Sequence, residues 1–471
     1  MLRYFYKTFV CFLTVITIFV STVSKSAALT VGEERELGEQ LLFQIRLAFP
    51  LLDDPDIFQY INELGQEVLT VAGVQYFDYH FYIVNSTQFN AFAAPSGLVF
   101  FYSGLIEQMK QEDELVAVLA HEIGHVVSRH IAKGMDQGTK VGIATTILAL
   151  AGLALGAGAI SQAIFTGSLA AGQAASLSFS REHEEEADIL AYGWMKKMGR
   201  NPEAEEDMLR TMRRITRYSM GNIPQYLLTH PNPEFRLDYV QSLLALDDKE
   251  LSTFKKTDNF SFLRMKYRIL SQISDGKKFR NFLLNKLSDQ SASEEEKTML
   301  QYGLSQLDRM ENNFDSSRNY LRKVIAHYPE RSILLVDLGL LEMEDGNKEQ
   351  ALELIRTAYD RDPNDMWATF QLARINLELG NVGIAEKYLL EVEEIMPLYS
   401  KVYFELGRLK AAKGDNGTAS YYLGKYYLYE GRLKLAKQTV QVALKDPGLN
   451  ADLRQDGELM QELIEKLEKK E

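Results

Sequence analysis

Gly346, Gly380 and Gly414 stand 34 residues apart, and Ala351, Ala385 and Ala419 keep the same spacing. So do Pro329, Pro363 and Pro397, and Leu338, Leu372 and Leu406 complete the frame. One period shared by four kinds of position marks a supersecondary unit copied along the chain. Here it reads as a helix, a tight turn at glycine, a second helix packed through a small alanine, and a proline that ends it, which is the tetratricopeptide pattern. A weaker copy covers 298–331, with Asn312 and Ser317 where glycine and alanine are expected. Gly431 and Ala436 resume the pattern after half a period, so the helix from about Ala419 to Tyr429 serves two overlapping repeats. The expectation for 259–471 is an α-helical solenoid, with 259–297 helical but of no assigned repeat. Stacked repeats present a curved surface suited to peptide segments or partner proteins. A linker is expected at 247–258, where Asp247-Asp248-Lys249 and Lys255-Lys256 fall.

The first half has no such period and carries the chemistry. Ala120-His121-Glu122-Ile123-Gly124-His125 follows the apolar run Leu115–Leu119 and reads as a buried helix. Residues four apart lie about 40° apart around a helix, so both imidazoles point the same way, one turn apart. That suits two nitrogen ligands on one Zn²⁺, with Glu122 placed to take a proton from water. A catalytic zinc needs a third protein ligand, and several acids in Arg181-Glu182-His183-Glu184-Glu185-Glu186-Ala187-Asp188 compete for it. Glu184 and Asp188 share one helix face, and Glu185 and Glu186 point away from it. With Glu184 on the metal, Asp188 can fix the tautomer of a ligand histidine. The extended pattern HExxHxxGxxH is excluded, because Ser128 and Ile131 occupy its glycine and histidine positions. His130 falls on another face and reads as a bystander. Strands are expected at Tyr79–Val84 and Leu98–Tyr102, joined past a turn at Pro95-Ser96-Gly97. Asn90-Ala91-Phe92-Ala93 reads either as an edge strand or loop lining the cleft, or simply as the approach to a hairpin.

Residues 1–28 have the form of a signal peptide: basic Arg3 and Lys7, an uncharged run from Phe9 to Val20, and small residues Ser26-Ala27-Ala28. The single cysteine, Cys11, lies in that segment, so the mature core must hold without disulfides. Loss of Arg3, Lys7 and Lys25 takes the net charge from −13 to −16, which disfavours nucleic acid as a partner. The stretch 141–179 is uncharged, and 141–160 is long enough to span a bilayer. A single crossing would separate the two histidines from the acids downstream. The favoured reading is therefore no crossing but an apolar hairpin near the site, either an ordinary buried hairpin or one that makes peripheral membrane contact or gates substrate.

HEIGH at 121–125, FSREHEEEAD at 179–188 and THPNPEFRL at 229–237, in that order, resemble one family of zinc metallopeptidases. It includes the CAAX prenyl protease, a mitochondrial inner-membrane protease and a periplasmic branch that enhances β-barrel assembly. The resemblance spans roughly 35–245 and includes Asn90-Ala91-Phe92-Ala93 with Gly97. It implies that His121, His125 and Glu184 bind one Zn²⁺, that Glu122 is the catalytic acid/base, and that Asp188 supports a ligand. It further implies that His230 can take the metal's fourth position and hold the enzyme off, and that Arg236 lies near the site. The fold class expected is mainly α: a zincin-type α+β protease domain with a small sheet over 29–246, then the repeat solenoid. Leader, protease and repeats together have the layout of the periplasmic branch. That implies an envelope endopeptidase for quality control of outer-membrane proteins, with misfolded or stalled envelope proteins as substrates and the repeats meeting the assembly machinery. The alternative is a repeat-based chaperone whose protease is mostly silent.

Overall fold

A computed structural model describes residues 30–52, 54–134, 179–218, 225–247 and 251–468. The expected leader lies outside them, as does the expected hairpin at 141–179 except for Phe179. The described chain is mainly helical with one three-stranded sheet, followed by a helical solenoid, as the sequence predicts.

Helix α1 (Val31–Ala48) starts at a capping box, in which Thr30 and Glu33 satisfy each other's backbone N–H. Helix α2 (Pro55–Ala72) is capped by Asp54 and buries Ile57, Ile61, Leu64 and Val68 along one stripe. Three strands follow: β1 (His80–Val84), β2 (Ala91–Ala94) and β3 (Leu98–Tyr102), in spatial order β1-β3-β2. β1 runs parallel to β3 with His80 opposite Leu98, and β2 runs antiparallel with Ala91 opposite Phe101. The strands are apolar at nearly every position because both faces are covered. Phe81, Ile83, Val99 and Phe101 enter the core of the N-terminal half, while Tyr82, Phe92, Phe100 and Tyr102 pack with Leu41 and Ile45 of α1 and with Phe49 just past its end. The stretch at 90–93 thus resolves as an edge strand that is also the hairpin partner of β3.

After α3 (Ser103–Gln108), α4 (Glu112–Val127) runs through the middle, packed on α2, β2 and the later helices α6 (Arg181–Lys197) and α7 (Glu203–Tyr218). Every residue of α4 but Val127 is buried, including its first-turn acids. Arg200 answers those acids, with Nη1 3.1 Å from Glu112 and 2.9 Å from Asp113. Gly124 lets α4 and α6 meet, since a Cβ there would stand 3.3 Å from the Ala187 backbone. Short helices α5 (His130–Gly134) and α8 (Gln225–Thr229), then α9 (Pro233–Leu246), complete this half.

Helix α10 (Phe260–Ile273) belongs to both halves. Phe262, Met265 and Ile269 enter the catalytic core, each contributing about 1.5–3 kcal/mol by burial, while Phe260, Tyr267 and Leu270 enter the first repeat. Its third face carries Arg264 and Arg268. Beyond it, paired helices follow the 34-residue frame. Gly346, Gly380 and Gly414 have φ of 90°, 78° and 79°, the left-handed turn that favours glycine, and Asn312 takes the same turn at 61°. Ser317, in the alanine position, is buried and exchanges hydrogen bonds with Ser305. The helix Asn416–Tyr429 packs on both Ser400–Ala412 and Leu433–Lys445, as the half-period step predicts.

Candidate metal centre

α4 delivers His121, Glu122 and His125; α6, capped by the Ser180 side chain on the His183 N–H, delivers Glu184 and Asp188. The turn between α8 and α9 supplies His230, whose N–H is held by the Tyr226 carbonyl at 2.8 Å, and α9 supplies Arg236. All seven side chains are buried, with His125, Glu122, Asp188 and His230 at 0% exposure. The Nε2 atoms of His121 and His125 lie 3.0 Å apart, and His230 Nδ1 is 3.3 Å from His121 Nε2. Glu184 Oε1 is 3.1 Å from His230 Nδ1 and 3.5 Å from His125 Nε2. Four donors about 2.1 Å from a common centre at tetrahedral corners would lie about 3.4 Å apart, so this cluster has the size of a four-coordinate metal site.

Its charge points the same way. Three carboxylates, Glu122, Glu184 and Asp188, stand with one guanidinium, Arg236, around the three imidazoles, a carboxylate-rich setting that suits a dication. Both oxygens of Glu122 and Nε2 of His230 are buried with no hydrogen-bond partner among the described residues. Buried polar atoms left without a protein partner beside such a donor cluster are the expected mark of a site built for a group other than protein. Burial, then the neighbouring His121 and His230, push His125 well below the usual imidazole range, which keeps it in the neutral form a metal requires.

Around these donors lies a supporting layer. Asp188 Oδ1 is 2.8 Å from His121 Nδ1, and Arg236 holds the same carboxylate through Nε at 2.9 Å and Nη2 at 2.7 Å. Burial would raise the Asp188 pKa; Arg236 and His121 overcome that and hold it far below the carboxylate range. Arg236 Nη1 also stands 2.9 Å from Glu184 Oε2. Burial would raise Glu184 too, and His230 with Arg236 outweighs it, leaving the carboxyl ionised.

A family profile described as "Peptidase family M48" matches residues 55–244, and tetratricopeptide repeats match 302–366 and 336–400. The beta-barrel assembly-enhancing protease of Escherichia coli (strain K12) is 30% identical over 346 residues, covering 72% of this chain and 69% of that protein. The chain belongs to peptidase family M48. Its counterpart in Yersinia pestis is 31% identical over 340 residues, 71% of this chain and 67% of that one. The mitochondrial metalloendopeptidase OMA1 of Schizosaccharomyces pombe (strain 972 / ATCC 24843) is 29% identical over 185 residues, 39% of this chain and 52% of that one.

This M48 metallopeptidase brings together every side chain that the sequence singles out, and others that it does not. His130 does not lie on a face apart from the site: its Nδ1 lies 2.9 Å from His125 Nδ1. The helix that would have carried it to another face ends at Val127, and Arg129, at φ 53°, turns the chain back. Phe179 stacks on His125 with ring centres 3.9 Å apart, and Tyr226 stacks on His230 at 4.3 Å. Glu205, from α7, is 4% exposed beside Asp188; burial, then the Asp188 charge, pushes its carboxyl far up into the neutral form. Phe179 opens the FSREHEEEAD motif, the one signal that points to it; Tyr226 and Glu205 carry no signal in the sequence. Among the described residues no helix is long and apolar enough to cross a membrane.

Proposed function

We propose that this metallopeptidase is a zinc-dependent endopeptidase of the periplasm that serves the quality control and assembly of outer-membrane β-barrel proteins. The observation that carries the catalytic part is the convergence of His121, His125, Glu184 and His230 within 4.8 Å of one another, beside a Glu122 carboxylate with both oxygens orphaned. His121, His125 and Glu184 hold the zinc, and a nitrogen-and-carboxylate donor set suits that ion. A bound zinc supplies positive charge that polarises a peptide carbonyl and makes water a better nucleophile. Glu122 takes the water proton and passes it to the departing amine. Asp188 accepts from His121 Nδ1–H, so that Nε2 faces the metal with its lone pair, and Arg236 fixes Asp188. The burial of all these side chains keeps bulk water away from them.

The envelope part of the reading rests on the layout: a leader at 1–28, a protease domain at 29–246 with the 141–179 hairpin, a linker at 247–258 and repeats at 259–471. The name of the Escherichia coli and Yersinia pestis relatives points to β-barrel assembly. Substrates are then misfolded or stalled envelope proteins, and the repeats meet the assembly machinery. His230 belongs to both readings of the chain. With Nδ1 among the donors and Nε2 3.4 Å from Glu122, it occupies the fourth corner that substrate and water need. Held there, it keeps the protease silent while the repeats work as an assembly factor.

Metal analysis of purified protein, with digestion of a misfolded β-barrel protein, tests this. One zinc per chain is expected, with cleavage lost in Glu122→Gln and metal retained. Metal-free protein that still cleaves, or a Glu122→Gln variant that cleaves normally, overturns it. His230→Ala is expected to raise basal cleavage without loss of zinc; a fall instead assigns His230 to stabilising the oxyanion.

A further inference from the structure

The two helix histidines of the centre are held by different means. His121 has a carboxylate behind it, Asp188. His125 has none: the atom behind its Nδ1 is His130 Nδ1, 2.9 Å away and, like His125, fully buried. His130 Nε2 lies 3.2 Å from Glu186 Oε2, and the Ser128 hydroxyl donates to Glu186 Oε1 at 2.8 Å. His183 stacks on the His130 ring at 4.2 Å and 17°, closing its outer face.

We infer that His130 is a positioning residue for the metal centre: it accepts a hydrogen bond from His125 Nδ1–H and, through Nε2–H on Glu186, fixes which nitrogen of His125 faces the donor cluster. This rests on the metal reading proposed above. The proton count leaves one consistent arrangement. His125 Nε2 points into the cluster with its lone pair, so its proton is on Nδ1. His130 must then present a lone pair at Nδ1 and carry its own proton on Nε2. Glu186, ionised, accepts that proton's hydrogen bond and the one from Ser128. Each link has one donor and one acceptor.

The backbone is bent to make this contact. Arg129 sits at φ 53°, a left-handed conformation that typically costs a side-chain-bearing residue about 1–2 kcal/mol. It is held there by Glu34 of α1, 2% exposed, which accepts from Arg129 Nε and Nη2, both at 2.9 Å. Without that residue α4 would continue and carry His130 away from His125. A strained turn pinned by a buried acid, ending on the group that reaches His125 Nδ1, is the pattern of a site holding its own geometry.

The test is zinc affinity, read by competition with a chromophoric chelator, and the visible spectrum of the Co²⁺-substituted protein. The amide oxygen of asparagine reaches the place of the histidine Nδ1, whereas that of glutamine reaches the place of Nε2. His130→Asn should therefore keep affinity within about threefold, and His130→Gln should weaken it about 10–100-fold with a shifted Co²⁺ spectrum. Glu186→Gln should weaken it by less. Equal affinity in His130→Asn and His130→Gln overturns the inference, even where His130→Ala fails to fold. Wild-type protein that binds no zinc overturns the metal reading instead, so the two failures are distinct. Unfolding of the metal-free variants at the wild-type temperature separates positioning from loss of packing.

Discussion

Two groups of buried charges in this molecule are built on opposite plans. At the junction of the halves, Arg264 of α10 meets Asp337 of the first full repeat at 2.8 Å and Asp56 of α2 at 2.8 Å. Arg268 meets Asp54 at 2.8 Å and Asp337 at 3.2 Å, with its guanidinium 4.4 Å over the Trp367 ring. Every charge there has an opposite charge within reach. In the metal centre three carboxylates stand with one guanidinium, and both Glu122 oxygens have no hydrogen-bond partner among the described residues. A buried charge left unpaired is destabilising unless something outside the protein answers it. The junction therefore holds the fold, and the centre draws on it.

The largest expected effects break that contrast from either side. Glu122→Gln should lower turnover by about 10²–10⁴-fold, because it removes the proton acceptor. It should leave the unfolding temperature of metal-free protein unchanged or raise it, because it removes an unpaired carboxylate. Asp337→Ala should leave zinc content alone and lower stability by about 3–5 kcal/mol, since it strips a shared partner from two buried arginines. Denaturant titration of both variants decides. A Glu122→Gln variant as destabilised as Asp337→Ala would show that the two clusters are of one kind.

The contrast also explains what the sequence could disclose. The repeats were legible because a period repeats its evidence: each glycine and alanine is confirmed 34 residues on. His121, Glu122 and His125 were legible because a helix fixes their directions from spacing alone. Glu184 and Asp188 could be paired by the same rule, yet their meeting with His121 depends on how α6 packs at Gly124. Spacing puts His130 on another face only if the rule is carried past the end of its helix at Val127. Only the turn at Arg129, held by Glu34 about a hundred residues upstream, brings it back. Arg264 and Arg268 gave no signal at all, since their partners Asp54, Asp56 and Asp337 come from distant parts of the chain.

A smaller effect sharpens the view of the junction. Asp365 caps the helix Met366–Glu378 through the Ala368 N–H, close to the Arg264–Asp56 pair. Burial above all, then the charges of Asp56 and Asp362, push its carboxyl up to about 7, against the opposing pull of the Ala368 N–H and Arg264. The folded chain thus keeps a proton that the unfolded chain gives up near pH 4. The stability this lends is full below about pH 4 and is lost as pH rises through about 7. Asp365→Asn keeps the cap and removes the titration. It should match wild type near pH 4 and exceed it by on the order of 2 kcal/mol at pH 8, where thermal unfolding reads the difference. Parallel pH profiles for the two proteins would mean that the junction's positive charges already neutralise Asp365.

The smallest effect lies furthest from either cluster, in the turns of the repeats. At Gly346, φ is 90° and a Cβ would meet nothing within 4 Å, so any penalty for a side chain there is one of backbone conformation alone. Gly346→Ala should cost about 1–2 kcal/mol. The chain itself contains the milder substitution: Asn312, one period earlier, holds the same turn at φ 61°. Asparagine tolerates the left-handed region because its short polar side chain hydrogen-bonds locally. Gly346→Asn should therefore cost less than Gly346→Ala, by a few tenths of a kcal/mol or more, and Asn312→Gly should be close to neutral. Denaturant midpoints of the three variants rank them. An alanine variant no worse than the asparagine one would show that the repeat turns adapt their backbone, and that the 34-residue glycines are kept for something other than their φ.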